Sequence, residues 1–500
     1  MPEAVLGIDI GTASTKAILF DLSGAEIATA SRSYPLSTPQ PGWVEQDPEQ
    51  VWEALVQSLQ EVVSRAPGWR IAALALAAQA GSIIPALASG DPAYPMITWL
   101  DSRSEGIIRG WQQDGTAEAI HRLSGWHPFP GLPLPTIAWL RAERPEVYAR
   151  ARRYLGAADF LIHRLTGEFS TDLSAAAEML LVDVETGRWD AALCELGGVD
   201  PGRQASLGWA GRSLGGITPE VARLTGLPPG TPVIAGGADQ PCATLAMGAT
   251  GPGKVTLATG TAWVITGVAD SPRREAVPAR MDLSFHAMPD RWTVSQFLGG
   301  FGATVDWWLA QAWQSPDPAE HQETKALYRY LDAALAGEDS TAGSHGLLFL
   351  PLSGPSQVAH GKPGGAFVGL QLLHSRADMA RAILEGCAYE VRWALEQLGA
   401  SGLPVTELWV SGGATSSPAW PHILADVAGA PIVLADYANW AALGAAALAG
   451  WGVGAFPTLE AGIARLQPPV RRLPPDPTRA GVYAGGFAAY KQSALALTRR

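Results

Sequence analysis

The run Ala4-Val5-Leu6-Gly7-Ile8-Asp9-Ile10-Gly11-Thr12-Ala13-Ser14-Thr15-Lys16-Ala17-Ile18-Leu19-Phe20 decides the fold class. Ala4 to Ile10 is apolar except at Asp9, Gly11-Thr12 breaks the run, and Thr15 to Phe20 resumes it, which predicts two strands joined by a tight turn. Asp21-Leu22-Ser23-Gly24 makes a second turn and Glu26 to Tyr34 a third strand. A helix follows, with Asp47 as N-cap, Pro48 in the first turn, and Val51, Trp52, Leu55, Leu59 and Val62 at helical spacing. Ile71 to Ala78 is almost continuously apolar, as in a strand covered on both faces. Strands alternating with helices define an α/β protein.

The same order returns later in the chain. Pro232 to Ala235 predicts a strand, Gly236-Gly237 a turn, and Pro241 to Met247 a helix. Val255 to Leu257, Gly260-Thr261, and Ala262 to Val268 then repeat the strand, turn and strand of the N-terminus. Ala377 to Leu398 predicts a long amphipathic helix, Glu407 to Val410 a strand that runs into Ser411-Gly412-Gly413-Ala414, and Trp420 to Gly429 a further helix. Two halves of related architecture are expected, divided as residues 1–246 and 247–500.

Composition narrows the function. The 500 residues carry a net charge of −12, 16 % charged and 47 % hydrophobic side chains, which describes a globular chain rather than a disordered one. The acidic balance removes the basic footprint of a nucleic-acid binder. Cys194, Cys242 and Cys387 are too few and too far apart for a disulfide framework, which fits a reducing cytoplasm. No targeting segment is read, and the uncharged stretch Trp440 to Phe456, broken by glycines, reads as a buried helix rather than a membrane span. The acid-rich stretch Glu45 to Glu61 reads as a solvated face, and His121, His127 and His163 show no metal-ligand spacing.

Four constellations carry chemistry. In Asp9 to Lys16, a glycine turn lets backbone N–H groups approach phosphate oxygens, Thr12 and Ser14 add hydroxyls, Lys16 adds charge, and Asp9 suits Mg²⁺ or its waters. An ordinary polar hairpin is the alternative. Thr259-Gly260-Thr261 offers a second clamp on the same phosphates, or else a common β-turn. Ser411-Gly412-Gly413-Ala414 through Ser417 offers a side-chain-free floor for a base or ribose. In Gly236-Gly237-Ala238-Asp239-Gln240, the acid is either a helix N-cap or a carboxylate that takes a proton from a substrate hydroxyl.

Taken in this order, the motifs resemble the FGGY family of carbohydrate kinases, of the actin/hexokinase/Hsp70 superfamily, with the nearest likeness to xylulokinases. The likeness also includes Trp43-Val44-Glu45-Gln46-Asp47-Pro48-Glu49, Trp99-Leu100-Asp101-Ser102-Arg103, Leu165-Thr166-Gly167-Glu168-Phe169 and Ala442-Leu443-Gly444-Ala445-Ala446. The resemblance implies two ribonuclease-H-like domains with an ATP and sugar cleft between them. It implies Asp239 as general base and Asp9 as the acid that holds Mg²⁺ through water. Thr12, Ser14 and Lys16 would form the first phosphate loop, and Gly260 and Thr261 the second. Gly302, Asp306, Gly412, Gly413 and Ser417 would contact nucleotide. Gln79, Ala80, Gly81, Trp99, Asp101, Asp239 and Gln240 would line the sugar site, with Trp43 and Trp99 offering indole faces to a sugar ring.

Departures from the family pattern fall on the sugar side. Xylulokinases carry Gln-Met-His-Gly where this chain has Gln79-Ala80-Gly81-Ser82, and Asp-Asn where it has Asp239-Gln240. Their Ser-Gly-Glu-Arg-Thr-Pro loop is Ser353-Gly354-Pro355-Ser356-Gln357-Val358 here. Glycerol kinases have an Arg-Glu pair at Ala80 and Gly81; the small residues are expected to leave room for a longer acceptor. The expectation is an ATP- and Mg²⁺-dependent kinase of a ketose, D-xylulose first, cytoplasmic, with no nucleic-acid or membrane partner and with homodimerisation left open. A polyol or sugar-acid kinase, or a non-catalytic ATP-binding module, are the alternatives.

Overall fold

The computed structural model describes residues 1–312, 324–336, 341–351 and 364–498. Two sheets of matching topology organise the chain. The first contains β1 (Glu3–Ile10), β2 (Ser14–Asp21), β3 (Glu26–Ser33), β4 (Arg70–Ala78), β5 (Ser213–Gly216) and β6 (Pro232–Ala238), in the order β5-β6-β4-β1-β2-β3. β1 runs antiparallel to β2, and β2 to β3, while β4 and β6 add in parallel. The turn sequences dictate this arrangement. Short Gly-containing turns can only return the chain beside itself, whereas parallel addition needs a crossover. That crossover is α1 (Pro48–Arg65), started by Asp47, whose carboxylate accepts from Glu49 N. Val51, Leu55, Leu59 and Val62 bury its inner face. The helix α2 (Leu173–Ala177) approaches the end of β6, and α3 (Asp239–Ala246) leaves from it.

The second sheet repeats the plan with β7 (Gly253–Thr259), β8 (Trp263–Ala269), β9 (Asp282–Phe285), β10 (Trp292–Gly299), β11 (Val405–Gly412), β12 (Ile432–Leu434) and β13 (Arg471–Leu473). Its order is β9-β10-β8-β7-β11-β12-β13, so β7, β8 and β10 match β1, β2 and β3, while β11 and β12 match β4 and β6. Each sheet has an antiparallel strand at the parallel end. The helices α4 (Phe301–Ala312), α5 (Arg376–Ala400) and α6 (Trp420–Ala428) belong to this half. The repeat expected from the two Gly-Thr turns is therefore a repeat of topology.

One helix crosses back. The buried helix expected near Trp440 is α7 (Trp440–Gly452), and it packs on β1, β4 and α3 of the first half. Val5, Ile18, Ala75 and Ile234 share one apolar core with Trp440, Leu443 and Ala446. Gly7 makes this approach feasible, because a Cβ there would lie 1.9 Å from Ala442 O. A division at 246/247 coincides with the end of α3 but leaves one face of the first sheet to be covered from the second half. A seam joins the halves elsewhere as well. Leu283 N donates to Gly125 O at 2.9 Å, and His127 N and Nδ1 lie 2.8 and 2.7 Å from Asp282 Oδ1. No described helix is long and apolar enough to cross a membrane.

Candidate active site

The strand alternation of the first hairpin fixes its chemistry. Asp9 pairs directly with Lys16 across β1 and β2, so both side chains stand on one face of the sheet. The turn between them is closed by Gly11 N donating to Ser14 O at 2.9 Å, and Tyr34 Oη donates to Gly11 O at 2.6 Å. Burial pushes the Asp9 carboxyl up to about 6, against the opposing pull of Lys16. That carboxyl has no hydrogen-bond partner among the described residues, an arrangement that fits a divalent cation or its waters. Lys16 itself turns to Asn439, its Nζ donating to Oδ1 at 2.7 Å.

Asp239 begins α3 at the end of β6, with Ala238 rather than the aspartate in the N-cap position. Burial and then the charge of Asp9 push its carboxyl up to about 7. Its Oδ1 accepts from Gln240 N at 2.7 Å, while Gln240 is exposed. The backbone just before it is tethered by α2: Ala238 N donates to Ser174 Oγ at 2.9 Å, and that hydroxyl donates to Asp172 Oδ1 at 2.5 Å. No motif in the sequence pointed to Ser174; the only available signal was the Asp172 N-cap, whose carboxylate also accepts from Ser174 N and Ala175 N.

The second turn sits in a nest of close backbones. A Cβ on Gly302 would lie 2.4 Å from Gly260 O, and one on Gly412 would lie 2.7 Å from Thr259 O. Thr259 Oγ1 donates to Ser411 O at 2.6 Å and accepts from Ala414 N at 3.1 Å. Gly260, Thr261, Gly302, Gly412 and Gly413 are thus brought together, with Gly260 and Thr261 exposed. Ser417 follows directly on this nest but is buried; its hydroxyl accepts from Trp420 N, the first residue of α6, at 3.1 Å and donates to Asp332 Oδ1 at 2.5 Å, so it is committed to the fold. Asp306 is exposed on α4 and accepts from Tyr328 Oη at 3.1 Å.

The expected sugar side divides. Thr12 Oγ1 donates to Gln79 Oε1 at 3.2 Å and accepts from Trp99 Nε1 at 3.0 Å. Gln79 is buried and donates to Gln46 Oε1 at 2.8 Å, and Gln46 Nε2 in turn reaches Thr12 O at 2.6 Å. Trp99 is 40 % exposed, Ala80 is half-buried, and both lie at the edge of this network. Asp101 is elsewhere: its carboxylate takes a two-pronged ion pair from Arg103 at 2.8 and 2.9 Å and accepts from Val44 N at 2.6 Å. Arg103 has no exposed side-chain surface and also binds Glu45 Oε1 at 2.8 Å. Glu45 is therefore a buried partner and not part of a solvated face; the helix starts only at Pro48. Trp43 covers the Arg103 guanidinium, 3.9 Å from its ring centre, so that indole face is already occupied.

The space beside Gly81 also departs from expectation. A Cβ there would meet Trp99 Cβ at 3.2 Å, Leu132 Cδ2 at 3.3 Å and Glu178 Oε2 at 3.4 Å, so the missing side chain leaves no open room. His121 stacks on His127 with ring centres 3.7 Å apart, and both lie near Asp282 at the seam. The loop Ser353 to Val358 lies outside the described residues.

Two Gly-Thr turns on sheets of matched topology, with an acid at the start of the helix between them, are the plan of the actin-like class. Family models of the FGGY carbohydrate kinases match the chain, the N-terminal domain over residues 4–246 and the C-terminal domain over 257–453. The chain belongs to the FGGY family of carbohydrate kinases, and is a sugar kinase that uses ATP and an alcohol group as acceptor. It is 27 % identical to a gluconokinase of Bacillus subtilis over 465 residues, covering 92 % of this chain and 90 % of the relative. It is 29 % identical to a xylulose kinase of Escherichia coli, covering 89 % of each. A solved gluconate kinase from Lactobacillus acidophilus superposes with a TM-score of 0.91 at 25 % identity, covering 100 % of this chain and 99 % of that one.

Proposed function

We propose that the protein transfers the γ-phosphoryl group of ATP to a terminal hydroxyl of an open-chain ketose of five or more carbons, D-xylulose first. The observation that carries this reading is Asp239. It stands at the start of α3, close enough to Asp9 to feel its charge, with a backbone tethered by Ser174. In its ionised form it takes the proton of the acceptor hydroxyl as that oxygen bonds to the γ-phosphorus and the bond to the β,γ-bridging oxygen breaks, releasing ADP. Backbone N–H groups and hydroxyls of the Gly11–Ser14 and Gly260–Thr261 turns face the phosphates, with the close-packed Gly302 and Gly412 keeping side chains out of the way. Asp9 would hold Mg²⁺, which when bound neutralises phosphate charge. Closure of the halves would exclude competing water.

For the acceptor, Ala80 and Gly81 supply no charge, and the groups acting on the nearby Glu178 are all acids. That surrounding supports a neutral sugar over an aldonate. Full-length similarity to a gluconokinase supports the second reading, a sugar acid. A non-catalytic module is disfavoured by Asp239, which a nucleotide clamp alone does not need. The test is acceptor-stimulated ADP release across ketoses, aldoses, polyols, D-gluconate and glycerol. A ketose should be best; glycerol or an aldonate exceeding every ketose by about tenfold would overturn the assignment.

A further inference from the structure

The segment that ends α2 holds a carboxyl for which the fold has no use. Glu178 follows Ala177 directly, and its Oε2 sits 3.4 Å from the point where a Cβ of residue 81 would be. It therefore fills, from a different part of the chain, the place beside Trp99 and Leu132 that Gly81 leaves without a side chain. Glu178 is half-buried as a residue, with its carboxyl turned inward, and that carboxyl makes no hydrogen bond or ion pair among the described residues. Other acids of this region do have partners: Asp172 caps α2, Asp101 pairs with Arg103, and Asp282 receives His127.

The backbone holds this side chain in place at a cost. Leu180, two residues on, has φ of 59°, in the left-handed region that a branched side chain rarely adopts. Met179, Leu180 and Leu181 are all buried and pin that conformation. Strain of this kind persists only where surrounding packing over-determines it, and it clusters at ligand sites. Burial of the carboxyl first, and then the charges of Asp239, Asp172 and Asp282, hold it well above the ordinary range. A carboxyl there binds a substrate hydroxyl in either state, accepting from it when ionised and donating to it when neutral, and its ionised form repels a second carboxylate.

We propose that Glu178 is a specificity-determining residue of the acceptor site, hydrogen-bonding a hydroxyl of a neutral polyhydroxylated substrate and disfavouring a carboxylate. This deepens the reading of the protein as a sugar kinase and rests on it. Size is not the selecting feature at this place, since the space beside Gly81 is filled; polarity is.

The experiment compares the unchanged enzyme with Glu178→Gln and Glu178→Ala on D-xylulose, L-xylulose, xylitol and D-gluconate, with KM for ATP and thermal midpoint measured in parallel. Glu178→Ala should raise KM for the best neutral acceptor about tenfold or more while KM for ATP stays within about twofold. Glu178→Gln keeps the shape and a donor but loses the acid, and should shift the gluconate-to-xylulose efficiency ratio towards gluconate by about tenfold. Unmoved acceptor KM values and an unmoved ratio in variants whose midpoint lies within about 2 °C of the parent would overturn the role of Glu178 alone. Failure of the unchanged enzyme to phosphorylate any of the four acceptors would overturn the proposed acceptor class and the inference with it.

Discussion

Lys16 Nζ donates to Asn439 Oδ1 across 423 positions of sequence, at 2.7 Å, and so ties the first hairpin to the residue that starts α7. The lysine expected to meet phosphate is thus anchored beside it, where its charge lowers the pKa of Asp9. Replacing Lys16 with methionine should leave KM for ATP within about threefold and lower turnover near neutrality, because the Asp9 carboxyl then holds its proton more tightly. A rise of KM for ATP by about a hundredfold, with turnover preserved, would instead place Lys16 on the phosphates.

Asp239→Asn should keep nucleotide affinity and lose about 10²–10⁴-fold in turnover, since asparagine has the same outline but cannot take a proton. Nucleotide titration beside steady-state rates separates the two effects. In the parent, kcat/KM for the acceptor should fall as pH drops below the pKa of the free carboxyl, pushed up to about 7. Retention of more than about a tenth of the parental rate by the variant removes Asp239 from the base role.

Thr12 and Thr261 should behave differently despite their matched positions. Thr261 is exposed, so Thr261→Val should weaken only ATP use, by about 1–3 kcal/mol in kcat/KM. Thr12 also orients Trp99 and Gln79, so Thr12→Val should raise the acceptor KM as well. Equal effects of the two variants on ATP alone would contradict the Thr12 network.

His286 supplies a stability prediction. It is buried, and its Nδ1 accepts from Met288 N at 2.7 Å, which requires the neutral ring. Burial lowers its pKa from 6.5 to about 4, so an unfolded chain takes up a proton that the folded one refuses. Its contribution is complete above about 6.5 and is lost as pH falls towards about 4, by up to about 3 kcal/mol. Urea midpoints over that range should fall less steeply in His286→Asn than in the parent.

The hairpins, α1 and the buried α7 were legible because each is written in local chemistry: a glycine turn between apolar runs, an Asp-Pro start, an uncharged helical stretch. The close backbone packing of the second Gly-Thr turn was legible for the same reason, since glycines are required where Gly302 and Gly412 meet the Thr259–Gly260 backbone. The acceptor side was not. Asp101 and Trp43 carry residue types that suit sugar, but Arg103 claims both, and only the fold brings Arg103 between them. Ser174 and Glu178 lie in an unremarkable Ala-rich stretch and acquire meaning only when α2 docks against β6. Sequence also has no local sign of which sheet α7 will cover.

That helix sets a timetable for biosynthesis. About 190 residues separate Ala246 from Trp440, which at ~5–20 residues per second is about 10–40 s of translation. Throughout that interval the sheet face carrying Val5, Ile18, Ala75 and Ile234 has left the ribosome without the helix that seals it. The nascent first half is thus a natural client for chaperones, and the enzyme cannot be assembled one finished half at a time.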